Sequence, residues 1–65
     1  MIIDSRGPDG NAFTIMGQVK VLLKQIGRSD EWEDIRERMF SGSYDELCDI
    51  AEEVTNGSIV VTNRG

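Results

Sequence analysis

Apolar residues change their rhythm along this chain, and each change marks an element. The run Met1-Ile2-Ile3, followed by Asp4, predicts a short strand over about 1–4, closed by the turn-forming residues of Arg6-Gly7-Pro8-Asp9-Gly10. Ala12, Phe13, Ile15, Met16, Val19, Leu22, Leu23 and Ile26 then recur at three- and four-residue intervals, the spacing that lines one face of a helix. Asn11 suits the N-cap and Gly27 the C-terminal end, so the principal helix is expected over about 11–26. Lys20, Lys24 and Arg28 follow one another at four-residue steps and form its polar stripe, with positive charge near the end where the helix dipole favours it.

Beyond Gly27, Ser29 or Asp30 is expected to cap a second helix over about 30–40, because Asp30 and Glu33 have the spacing of a reciprocal capping pair. Trp32, Ile35, Met39 and Phe40 give it a narrow apolar edge, which places it at the periphery. Ser41-Gly42 ends it, and Ser43-Tyr44-Asp45-Glu46 is a capping-box start for a third helix over about 44–55. Leu47, Ile50, Ala51 and Val54 face inward there, and Asn56-Gly57 stops the helix. The β-branched segment Ser58-Ile59-Val60-Val61-Thr62 predicts a last strand over about 58–62, with 63–65 loose.

Strand, three helices, strand is an α+β arrangement in one domain spanning 1–65, with a small sheet made by the two terminal strands. Antiparallel packing of neighbours returns the chain so that these strands run parallel, which is the expected pairing, with antiparallel pairing as the alternative. A two-stranded sheet must lean on the helices or continue across a dimer.

At 65 residues the chain is near the small end of what folds alone. A single cysteine, Cys48, forms no internal disulfide and fits a reducing, cytoplasmic setting. No apolar run approaches the roughly 20 residues needed to cross a bilayer, and the start lacks the features of a signal peptide, so no membrane partner is expected. The net charge of −5 and pI near 4.4 argue against direct nucleic-acid binding and favour a protein partner with a basic surface.

Chemistry is sparse. Histidine is absent, which removes the usual general base and the commonest metal ligand. Cys48 stands among Asp45, Asp49 and Glu52, whose charge raises a thiol pKa. The carboxylates fit no calcium loop. The chain is therefore read as no enzyme, with no catalytic residue, no metal site and no cofactor.

The segment Arg6-Gly7-Pro8-Asp9-Gly10-Asn11-Ala12-Phe13, with Ile15-Met16-Gly17 and Ser41-Gly42-Ser43-Tyr44-Asp45, resembles small uncharacterised proteins of bacteriophages and bacterial genomes. The resemblance spans about the first fifty residues, while the strand-like tail departs from it. It implies an accessory factor that modulates a host or phage protein in the host cytoplasm, and brings no activity with it.

The first functional expectation is an acidic protein-binding module. Asp45, Glu46, Asp49, Glu52 and Glu53 share one helix face with no base among them. Asp45, Asp49, Glu52 and Glu53 would meet Lys or Arg of the partner, with Trp32 or Tyr44 as the desolvated anchor. Trp32 either packs in the core or, if exposed beside Phe40 or Met39, moves the docking surface to the second helix.

The alternative is a homo-oligomeric assembly piece, a homodimer joined through Gly17 or the C-terminal strand. Gly17 weakens its helix by about 1 kcal/mol relative to alanine, so another helix of the chain or a second copy is expected against its backbone, with Phe13 and Lys20 alongside. A third expectation is a small-anion or nucleotide binder using the loop from Gly7 to Asn11, with Arg6, Gly10 and Asn11 as its residues. That loop lacks the Gly-Lys-Ser/Thr ending of a P-loop. Its competing explanation is a structural turn in which Gly10 takes a positive φ and Asn11 caps the helix.

Overall fold

A computed structural model describes residues 1–64. The order is β1 (Ile2–Asp4), a 3₁₀ turn (Pro8–Gly10), α1 (Ala12–Gln25), a second 3₁₀ turn (Ser29–Glu31), α2 (Trp32–Ser41), α3 (Tyr44–Val54) and β2 (Val60–Thr62). The fold is α+β, and the terminal strands pair in parallel with Ile2 opposite Val60, Ile3 opposite Val61 and Asp4 opposite Thr62. Because side chains alternate across a strand, Ile3 and Val61 turn into the core while Ile2 and Val60 face out.

α3 is the centre of the packing, touching α1, α2 and β2. Its Leu47, Cys48, Ala51 and Val54 join Ile15, Met16, Val19 and Leu23 of α1, Ile35 and Met39 of α2, and Ile3, Ile59 and Val61 in one core. Trp32 is half-buried and leans on that core.

The helix ends follow the sequence in most places. Asn11 accepts from the Thr14 N–H at 2.8 Å and Ser43 from the Glu46 N–H at 3.2 Å, each satisfying a donor the helix leaves free. At the end of α1 the Arg28 N–H reaches Leu23 O at 2.8 Å and the Gly27 N–H reaches Lys24 O at 3.3 Å, with Gly27 at φ 76°, a Schellman closure. α3 closes in the same way through Gly57 to Glu52 and Asn56 to Glu53, with Asn56 in the left-handed position at φ 55°.

Two expectations change. No side chain caps α2: residues Ser29–Glu31 form a 3₁₀ turn, and no Asp30–Glu33 capping pair forms. Arg28 instead leaves the α1 stripe beyond Gly27 and grips Glu31 with two 2.7 Å hydrogen bonds. It also donates to Val54 O at 3.3 Å, which ties the α1–α2 joint to the end of α3. Each member of the pair holds the other charged, raising the Arg28 pKa and lowering that of Glu31.

The second change is at the C-terminal end. Asn63 donates to Asp4 Oδ1 at 3.0 Å, and its carbonyl accepts from the Ser5 hydroxyl at 2.7 Å. The Asn63 bond and then the Arg6 N–H hold the Asp4 carboxyl below its ordinary pKa. Residues 63 and 64 are thus tied down where a loose end was expected, and Gly65 lies outside the described residues.

Candidate functional site

The exposed surface of α1 is unusual for a helix this apolar. Its inward arc carries Ile15, Met16, Val19 and Leu23, all buried. Yet Phe13 is 75% exposed and Val21 50% exposed. At about 100° per residue, Phe13, Lys20, Val21 and Lys24 all fall within about 60° of Gly17 on the opposite face. Every one of the five is exposed.

Phe40, at the end of α2 and 56% exposed, continues this surface. Its ring meets Phe13 edge to face at 6.4 Å between centroids, and the Arg36 guanidinium lies 6.0 Å over it. Aromatic pairs of this geometry attract, so the two rings order one another while remaining largely in water. Gly17, four residues from both Phe13 and Val21, is open: beyond its own turns of helix backbone, a Cβ there would meet no described atom within 4 Å. The expectation that another helix of the chain packs against Gly17 is therefore overturned.

The α3 carboxylates form a less open surface than the spacing implied. Arg64 places one guanidinium nitrogen 2.9 Å from Asp49 Oδ1 and 3.1 Å from Asp45 O, and the other 3.5 Å from Glu52 Oε2. Arg38 approaches Glu53 at 3.7 Å. The stripe has no base in its own segment, but folding brings two bases to it from elsewhere. Glu52 also accepts from the Val61 N–H at 3.3 Å, so its carboxylate helps cover the outer edge of β2. The Ile59 N–H, just before β2, is taken by Thr55 Oγ1 at 3.2 Å. Asp45, Glu46, Asp49 and Glu53 remain exposed. Glu46 and Asp49 flank half-buried Ile50 in an open groove of about 340 Å³ that Arg38 and Ser41 complete.

The two expected anchors are engaged in the fold. Trp32 packs on the core, and the Tyr44 hydroxyl donates to Gly10 O, joining the start of α3 to the loop after β1. Burial pushes the Tyr44 phenol and the Cys48 thiol above their ordinary pKa values, and Cys48 is fully buried, a setting that leaves the thiol unreactive.

In the loop from Gly7 to Asn11 the donors are turned inward. The Gly10 N–H goes to Gly7 O at 3.1 Å and the Ile15 N–H to Asn11 O at 3.1 Å, while the Asn11 side chain bonds Thr14 N and Pro8 O. Arg6 is exposed and its backbone N–H is held by Asp4. Gly10 does not take the positive φ expected of it. It is a glycine because the chain crosses itself there: a Cβ would lie 2.4 Å from Ser5 O and 2.5 Å from Asp4 O.

Among the described residues no three of His, Cys, Asp and Glu converge to hold a metal ion, and no helix is long and apolar enough to cross a membrane. Comparison with protein-family models, curated proteins and solved structures finds no match for this chain. The functional reading therefore rests on its own surface.

Spacing placed Phe13 both in the apolar face of α1 and beside Gly17 and Lys20, and the structure keeps only the second placement; Phe40, placed on the apolar edge of α2, is exposed.

Proposed function

We propose that this chain is a protein-interaction module without catalysis, which docks through the α1–α2 face carrying Phe13, Val21 and Phe40. One observation carries the reading: two phenylalanines touch each other and remain mostly in water on a face that also bears Val21 and an open Gly17. Exposed apolar clusters rimmed by charge are where small proteins meet other proteins, and aromatic side chains supply much of the contact energy there. Arg36, Lys20 and Lys24 form the rim.

The test is a tagged pull-down using the unmodified chain and Phe13→Asp/Phe40→Asp, with circular dichroism to confirm that the variant folds. A stoichiometric partner, either another protein or an untagged copy, is expected with the unmodified chain and lost with the variant. Identical recoveries from both would refute the face.

A second reading keeps the acidic α3 surface as a site for a basic partner, favoured by the groove in which Glu46 and Asp49 border Ile50. Its open docking charges are Asp45 and Glu46, because Asp49 and Glu52 are held by Arg64, Glu52 also by the β2 edge, and Glu53 faces Arg38.

A further inference from the structure

The pair that ends α3 is required by the fold and is chemically labile. Asn56 and Gly57 both take left-handed backbone, at φ 55° and 82°, which glycine adopts freely and asparagine tolerates better than most residues. The same pair is prone to deamidation, because the Asn side-chain carbonyl carbon lies one five-membered ring away from the next backbone nitrogen and a glycine there puts no side chain in the way. We propose that Asn56 is a modification site, guarded by the Schellman closure of α3 and converted to aspartate or isoaspartate when that closure opens.

The step balances with water alone. The Gly57 nitrogen gives up its proton and attacks Asn56 Cγ, the Cγ–Nδ2 bond breaks, and the nitrogen leaves as ammonia carrying that proton. Water then opens the cyclic imide at either carbonyl. One opening gives aspartate; the other gives isoaspartate, in which the main chain runs through the former side chain and gains one methylene.

The closed form blocks the attack. The Gly57 N–H is held by Glu52 O at 2.9 Å and the Asn56 N–H by Glu53 O at 3.1 Å, so the attacking nitrogen is free neither to lose its proton nor to turn toward Cγ. Local opening supplies the reactive form. Asn56, Gly57 and Ser58 are all exposed, and water reaches the pair as soon as it opens. The other asparagines are worse placed: Asn11 and Asn63 are followed by Ala12 and Arg64, and their side chains are engaged with Pro8 and Thr14 and with Asp4. In Asp9-Gly10, which could close a similar ring, the glycine is buried.

Conversion loosens β2. Glu52 serves this joint twice, its carbonyl accepting from Gly57 and its carboxylate from the Val61 N–H, while Thr55 holds Ser58 through its carbonyl and Ile59 through its hydroxyl. A methylene added between Asn56 and Gly57 moves the Gly57 N–H out of register with Glu52 and slackens the connection that these bonds set. Either product also adds a carboxylate at the C-terminal end of α3, next to Glu52 and Glu53 and with no base in the last turn, where the helix dipole disfavours it. Loss of ammonia into water is not reversed, so the change runs one way.

The test incubates the full chain in mildly alkaline buffer, with and without urea, and follows amide-to-acid conversion by mass spectrometry, with peptide mapping to locate isoaspartate. Conversion at Asn56 is expected, at least about tenfold slower in the folded chain than in urea. Thr55→Val, which removes the bond to Ile59, is expected to speed conversion of the folded chain at least about threefold and to leave the rate in urea unchanged. Asn56→Gly, which keeps the left-handed position, is expected to fold normally by circular dichroism and to abolish the conversion. Converted chain, separated by its extra charge, is expected to melt below the unconverted chain. Equal rates with and without urea, no conversion of the folded chain while the urea sample goes to completion, a folded-chain rate indifferent to Thr55→Val, or conversion that leaves the melting temperature unchanged overturns the proposal.

Discussion

At Gly10 the carbonyls of Asp4 and Ser5 stand so close to where a Cβ would lie that any side chain displaces backbone, not a flexible neighbour. Gly10→Ala should therefore cost about 2 kcal/mol, lowering the melting temperature of a domain this size by roughly 10 °C. Thermal denaturation by circular dichroism measures it, and an unchanged melting temperature would show that the loop can relax. A turn residue was correctly expected at this position, but for the wrong cause. Turn chemistry is local and readable, whereas a close approach between segments is a product of the finished fold. Gly17 is the opposite case: its oddity in a helix was readable at once, while only the structure shows that nothing in the chain explains it.

Between elements, the joint from α3 to β2 hangs on one hydroxyl. Thr55 is buried, donates to Ala51 O at 2.6 Å and accepts from the Ile59 N–H at 3.2 Å. Thr55→Val keeps the shape and strands that N–H without a partner, a loss of about 1–3 kcal/mol. Thr55→Ser, which retains the hydroxyl, should lose less, and urea unfolding of the two variants separates the outcomes. Equal losses would mean that packing of the methyl, rather than the hydrogen bond, secures the joint. The helices and the parallel pairing of the ends were legible because periodicity, caps and β-branched runs act over a few residues. The start of α2 was not, because Arg28 takes Glu31 and reaches across to Val54, a long-range contact that local capping rules do not contain. The acidic stripe of α3 misled for a related reason: its partners, Arg38 and Arg64, are distant in sequence from the carboxylates they meet.

For the whole molecule, the surfaces divide by face. The buried side of α1 holds the core against α3, so a partner on the opposite face of α1 leaves the α3 carboxylate face open. A partner bound only by the folded chain would offset the thin stability of a short domain, since it draws the equilibrium toward the native state. The most direct test is to record the amide spectrum of the isotope-labelled chain alone and again with the partner that the pull-down captures. The account predicts shifts gathered at Phe13, Gly17, Val21, Lys24 and Phe40, with the outer sheet face at Ile2 and Val60 unmoved. Superimposable spectra, or shifts gathered on the sheet instead, would contradict it.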